Sequence, residues 1–339
     1  MKHKAVLWSK DFSSGNTVKC GLCAHFCSIP DKSFGICGVR QNISGELFTF
    51  SYGNIIAANI DPIEKKPLYH FLPGSYSYSI AIRGCNFKCG FCQNWTISQS
   101  RYNDKEKSFI EEPYIEPEKI VSEALRTGCK SISYTYTEPT VFFEYAYDIA
   151  KIAKGKGLYN IFVSNGYMSE RAIDMIAPYL SAINIDLKFF TEDSYNKICK
   201  ASLKPVLDSI KRFKKNGVWV EVTTLLIPGK NDSTEEVEKI TDFIAYVSDE
   251  IPWHITRFHP DYQFTDYENT PLISMNNAEK IGKRKLKYVY LGNIGKENNS
   301  LCPKCGKIVV SRQTDGIKFF ISKDSSCYHC SAQIPGVWG

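Results

Sequence analysis

An α/β fold built on parallel strands is the class this sequence predicts, and three observations carry the prediction. From about residue 78 short β-rich runs alternate with helical patterns. The runs are nearly continuous in apolar and β-branched residues, as strands covered by helices on both faces are. The 339 residues also suffice for one large domain with smaller attachments.

Residues 1–75 form the first expected part, a cysteine-rich extension with two β-like runs, ELFTFSYG and NIIAANI. Its last segment, DPIEKKPLYHFLPGS from Asp61 to Ser75, leads into the core. The core spans 76–297, with strands expected at YSIAIRG from Tyr78, SISYTY from Ser131, YNIFVSN from Tyr159, AINIDLK from Ala182, VWVEVTTLLI from Val218 and WHITRF from Trp253. KYVYLGN from Lys287 is a further candidate. One helix opens near Pro117, where proline suits the first turn and acidic residues favour the positive end of the helix dipole. Another opens at Ser233, which with Glu236 has capping-box spacing ahead of Val237, Ile240 and Ile244. Residues 298–339 read as a small cysteine-bounded module.

Composition excludes several classes. The net charge of +6, from 42 basic and 36 acidic residues, is dispersed, with no basic stripe or tail for nucleic acid. The start, MKHKAVLWSKDF, lacks a signal-peptide apolar stretch, and no run of about 18 apolar residues offers a membrane span. A cytoplasmic protein is expected. In that setting thirteen cysteines point to metal rather than to disulfides. They fall into three groups, with Cys129 and Cys199 left as buried apolar residues.

The middle group carries the chemistry. Cys85, Cys89 and Cys92, spaced CxxxCxxC as CNFKCGFC, offer three thiolates to a cluster of four irons and leave one iron open. Saturated clusters use four cysteines; the vacancy suits a small chelator such as S-adenosylmethionine (SAM), through its amino and carboxylate groups. With Phe91 before the last cysteine and the strand AIRG (Ala81 to Gly84) ahead, the loop resembles that of the radical SAM superfamily. Longer strings narrow the resemblance: KCGLCAHFC then GICGVR, DPIEKKPLYHFLPGS, CNFKCGFCQNW, YTYTEPTVFFEY, NIDLKFF, WHITRFHPDY, YVYLGN and the terminal CPKCG with IPGVWG. In that order they resemble the radical SAM component of the AmmeMemoRadiSam system, a group similar to pyruvate formate-lyase activating enzymes.

The resemblance implies an open, partial (β/α)6 barrel, although periodicity alone also allows a doubly wound sheet. It implies a [4Fe–4S] cluster, SAM as co-substrate, a 5′-deoxyadenosyl radical and an electron donor such as flavodoxin or ferredoxin. Memo-type and AMMECR-type proteins become candidate partners, and a protein or peptide the candidate substrate. Active sites of barrel-like folds lie at the C-terminal strand ends. Tyr136, Thr137, Glu138, Asn165, Gly166, Asp186, Lys188 and His254 fall at or near such positions.

In the superfamily the second strand often ends in GGE and holds the SAM ammonium group. This chain has YTEP, so the glycines are missing and Glu138 is the candidate acceptor. Phe91 is the candidate for packing on adenine. Asn165, Asp186 and His254 are offered as SAM contacts or as orienting, turn or strand residues, and Lys188 as an anion ligand or a partner of Asp186. Tyr69, Phe71, Tyr134, Tyr136, Phe142 and Phe143 read mostly as core or barrel lining.

The flanking groups are metal candidates. Cys302, Cys305, Cys327 and Cys330 form two CxxC knuckles 21 residues apart, close to a zinc ribbon, with iron in a rubredoxin-like variant as the alternative and His329 a bystander. Cys20, Cys23, Cys27 and Cys37 suit zinc or an auxiliary Fe–S cluster, with His25 beside them. The competing functions are activation of a glycyl radical enzyme and, in another class, a zinc-knuckle protein that binds nucleic acid.

Overall fold

The computed structural model describes residues 2–11, 15–99, 113–295, 297–313 and 316–338. The last glycine of IPGVWG, Gly339, lies outside them, as do Met1 and Phe12 of the opening segment.

Eight strands, β1 (Ile55–Pro62), β2 (Tyr76–Ile82), β3 (Ser131–Tyr134), β4 (Tyr159–Ser164), β5 (Ala182–Asp186), β6 (Trp219–Leu226), β7 (Trp253–Arg257) and β8 (Val289–Gly292), form one sheet in sequential order. From β2 to β8 all neighbours are parallel, and β1 adds an antiparallel edge. Helices α1 (Pro117–Arg126), α2 (Phe143–Gly155), α3 (Glu170–Ile176), α4 (Leu203–Lys215), α5 (Thr234–Val247) and α6 (Leu272–Gly282) fill the six crossovers. Since β1 and β8 do not pair, the sheet stays open. All seven expected strands form, KYVYLGN as β8, and NIIAANI becomes the edge strand β1.

Local signals explain the helix starts. Pro117 occupies the first turn of α1. Ser233 caps α5 by accepting the Glu236 N–H at 3.2 Å. The capping box stays half made: buried Glu236 accepts the backbone N–H of Phe190 instead of turning back to the cap.

The concave face of the sheet has two layers. Asn184, Glu221, His254 and Tyr290 lie in register or two residues apart in one lower row, and Asp186, Leu225 and Thr256 lie further toward the strand ends. The segment from Asp61 to Ser75 plugs the lower layer. Its Ile63, Leu68, Phe71 and Leu72 pack on Ile161 and Ala182, each burial contributing roughly 1.5–3 kcal/mol. Its backbone finds partners in the lower row: Glu221 accepts the N–H groups of Tyr69 and His70 at 2.9 and 2.8 Å, and Asn184 donates to the Pro67 carbonyl at 2.8 Å.

Small antiparallel sheets flank the core. Residues 3–4, 40–43 and 46–49 form one, 8–10, 18–20 and 28–29 another, and 300–301, 308–313 and 316–319 a third. Among the described residues no helix is long and apolar enough to cross a membrane.

Candidate functional site

The loop after β2 carries Cys85, Cys89 and Cys92, and its conformation depends on Gly84. Gly84 has φ +102°, and a β-carbon there would stand 2.8 Å from Val39 Cγ1 and 3.3 Å from the Cys37 carbonyl oxygen. The three cysteines line a cavity of about 420 Å³ at the C-terminal strand ends. Phe91, Glu138, Asn165, Asp186 and Lys188 line the same cavity. Burial first and the Glu138 charge second push the Cys85 thiol well above its usual range. Iron binding there must displace a proton.

Glu138 follows β3 and is buried. Its Oε1 accepts from Thr140 N at 3.0 Å, from Thr140 Oγ1 and from Ser164 Oγ at 2.8 Å, while Oε2 accepts from Asn165 N at 2.8 Å. Burial pushes its carboxyl up, against those hydrogen bonds. Asn165 Oδ1 closes a turn by accepting Tyr167 N at 2.9 Å, and its Nδ2 donates to Asn86 Oδ1 at 2.8 Å beside Cys85. Asp186 pairs with Lys188 Nζ at 2.9 Å. Burial works against the Lys188 cation, but Asp186, Cys89 and Cys199 together outweigh it and raise its pKa well above the lysine range. The same ammonium lies 5.6 Å from the centre of the Phe91 ring, which stacks edge-on with Phe189 and Phe264.

His254 is the exception among the expected residues. It shares the concave face but sits two residues before Thr256, in the lower layer, where its Nε2 is 2.6 Å from Glu221 Oε2 and Tyr69 packs edge-on against its ring. It does not line the cavity. Strand membership was legible in sequence; depth along the strand was not.

Several contacts at the site were not legible in the sequence. Lys66 is 1 % exposed and donates to Asp61 Oδ2 at 2.6 Å; the Tyr136 hydroxyl donates to the same oxygen. Lys66 and Tyr136 both line the cavity. Tyr136 has φ +62° inside an i to i+2 turn closed by Thr137 N and the Thr135 carbonyl at 2.7 Å, a rare and strained conformation. Asn94 Nδ2 holds its carbonyl at 2.8 Å. Cys199 is buried in the core as expected, but beside the site: its thiol is hydrogen-bonded to that of Cys89, and its carbonyl accepts Lys88 N at 2.9 Å. The i to i+4 spacing of Asp61 and Lys65 was the only local hint for the first set. Cys129 is buried in the core as expected.

The cavity suits a cluster with SAM. It falls within the range of about 300–1,000 Å³ typical of small-molecule sites. Thr223 Oγ1 lines it, buried and without a hydrogen-bond partner among the described residues, a polar atom awaiting a ligand. A larger groove of about 620 Å³ between residues 7–26, 168–173 and 204–212 touches only Cys20 of all the cysteines and lies away from the strand ends.

At the C-terminus, the sulfurs of Cys302, Cys305, Cys327 and Cys330 lie within 4.8 Å of one another, a group able to hold a metal ion. All thirteen cysteines are unpaired by disulfides.

With this geometry, comparison defines the class. Residues 79–244 match the Radical SAM superfamily. The chain belongs to that superfamily and is an enzyme of activase-like kind, a membership that implies a [4Fe–4S] cluster and SAM. It is 44% identical over 303 residues to uncharacterized protein MJ0808 of Methanocaldococcus jannaschii, covering 88% of each chain. It is 21% identical over 225 residues to the pyruvate formate-lyase-activating enzyme of Clostridium pasteurianum, covering 61% of this chain and 90% of that one. A radical SAM methyltransferase from Sphaerobacter thermophilus shares the fold, with TM-score 0.52 and 16% identity over 65% of this chain and 67% of that one.

Proposed function

We propose that the protein is a radical SAM enzyme acting on a protein or peptide, with its [4Fe–4S] cluster held by Cys85, Cys89 and Cys92. The observation that carries this reading is the convergence of those three thiols, Phe91 and Glu138 on one cavity that also exposes the unpartnered Thr223 hydroxyl. Bound there, a reduced cluster and SAM would supply one-electron cleavage of a carbon–sulfur bond and, from it, hydrogen-atom abstraction from the substrate.

The chain's own residues bind and orient. Glu138 accepts from the SAM ammonium through Oε2, Phe91 offers its ring to adenine, and Asp186 with Lys188 faces the remaining polar groups. Asn165 steadies Asn86 and so the loop at Cys85. His254 has no part in this set.

We read residues 76–297 as the catalytic core, 1–75 as the cysteine-rich extension and 298–339 as a zinc-binding ribbon. The ordered strings support membership of the AmmeMemoRadiSam group, with Memo-type and AMMECR-type proteins as partners and flavodoxin or ferredoxin as electron donor. Thirteen free thiols suit a reducing, cytoplasmic setting. Similarity to an activating enzyme favours one second reading, activation of a glycyl radical enzyme.

Anaerobic incubation of the reduced protein with SAM and deuterated candidate peptides tests the reading. Deuterium in 5′-deoxyadenosine is expected; absence of 5′-deoxyadenosine sinks it. A stable glycyl radical on a partner, seen by electron paramagnetic resonance (EPR), decides for the second reading.

A further inference from the structure

Cys20, Cys23, Cys27 and Cys37 all line one cavity of about 20 Å³, closed on the core side by Thr140 and Val141. Four sulfurs bound to a single zinc at about 2.3 Å would stand about 4 Å apart and leave no such space at their centre.

The C-terminal quartet has that tight geometry, with Cys302 and Cys330 sulfurs 3.5 Å apart and those of Cys305 and Cys327 3.8 Å apart. Among the described residues no other three Cys, His, Asp or Glu side chains gather their ligand atoms within 4.8 Å. No three sulfurs of the N-terminal four therefore lie within 4.8 Å of one another, wider than a single tetrahedral ion would hold them, and the same is true of Cys85, Cys89 and Cys92, where the superfamily implies a cluster of several irons.

The lining suits buried negative charge. Arg40, 1 % exposed, donates from Nη1 to Cys20 Sγ at 3.3 Å and is held in place by Glu144 of α2. Backbone N–H groups of His25, Ile36 and Val39 donate to the sulfurs of Cys23, Cys27 and Cys37. Such donors, with net charge, tune the potential of thiolate-bound clusters.

The two cysteine loops also touch. His25 Nε2 donates to the carbonyl of Asn86, the residue after Cys85, at 2.8 Å. Ala24 N and Asn86 Nδ2 both donate to the Tyr167 carbonyl at 3.3 Å. Thr140 lines the small cavity and donates to Glu138 of the large one.

We propose that Cys20, Cys23, Cys27 and Cys37 hold a second iron–sulfur cluster, which passes electrons singly to the cluster on Cys85, Cys89 and Cys92 across the contact of His25 with Asn86. A low-potential one-electron reductant reduces the N-terminal cluster, which is reoxidised as the electron moves on; no protein bond forms or breaks. The relay rests on the function proposed above, whereas the metal site does not.

The test compares anaerobically purified wild type with a Cys85→Ala, Cys89→Ala, Cys92→Ala variant by iron, sulfide and zinc analysis and by EPR after dithionite reduction. Iron and sulfide retained at about half the wild-type level, with a reduced-cluster signal, are expected. Zinc alone at the N-terminal site, or loss of all iron, overturns the second cluster and leaves the SAM reading standing. Wild-type iron undiminished by the triple variant sinks the SAM reading instead. Should that variant fail to fold, Cys23→Ser with Cys27→Ser partitions the metal from the other side: iron halves while the remaining signal responds to SAM. Faster spin relaxation in the wild type than in either variant supports the relay, and strictly additive spectra overturn it.

Discussion

Asn165 gives its backbone N–H to Glu138 Oε2 at 2.8 Å, joining the ends of β4 and β3 at one buried carboxylate. Oε1 carries three donors and Oε2 one, so the spare acceptor capacity is on Oε2.

Replacing Glu138→Gln keeps the shape and removes the charge. A hydrogen bond to a charged group contributes about 1.5–3 kcal/mol, so kcat/KM for SAM cleavage should fall about 10- to 100-fold, mostly through KM. Initial rates of 5′-deoxyadenosine formation against SAM concentration measure this, with a thermal melt to separate folding. An unchanged KM removes Glu138 from SAM binding.

Asp61 neutralises the buried Lys66 ammonium and also accepts from Lys65 Nζ at 2.9 Å and from Tyr136. Asp61→Asn leaves a cation without its partner and should cost about 3–5 kcal/mol in urea unfolding. Adding Lys66→Met removes the stranded charge and should recover most of that loss. A single variant as stable as wild type contradicts the pairing.

His70 predicts a pH dependence. Its Nδ1 donates to the Pro335 carbonyl at 2.8 Å, so Nε2 accepts from the Tyr290 hydroxyl at 2.6 Å and the ring is neutral. Burial, the largest cause, lowers its pKa from 6.5 to about 4. The unfolded chain then binds the proton first as pH falls. The stabilisation is present above pH 6.5 and is lost progressively toward pH 4, about 3 kcal/mol in all. Unfolding free energies of wild type and His70→Gln across pH 4–7.5 measure it, and the variant should show a shallower slope.

The C-terminal quartet should bind one zinc per chain. Its removal by a chelator should expose residues 300–338 to hydrogen exchange and lower Tm, because small four-cysteine modules draw folding energy from their metal. The disturbance should reach His70 through Pro335, and Tyr69 through Arg312, whose guanidinium lies 4.5 Å from the Tyr69 ring centre. Exchange unchanged after metal loss contradicts a structural ion.

Much of the site was legible because its signals are local. CxxxCxxC brings three thiols to one short loop, and Glu138 and Asn165 follow strands whose apolar runs mark them. His254 was offered as a SAM contact or a strand residue because its strand carries two layers, and only the docking of Asp61 to Ser75 shows which layer faces the cavity. The burial of Lys66 and the contact of Cys199 with Cys89 were invisible for the same reason, since their partners are distant in sequence.

The sequence by itself determined the order of strands and helices and the membership of each cysteine group, because periodicity and spacing act over a few residues. Tertiary structure alone decided which polar groups share the 420 Å³ cavity and how far apart each set of sulfurs is held. Those outcomes depend on packing between segments far apart in the chain, where burial and close contact set the chemistry of each side chain.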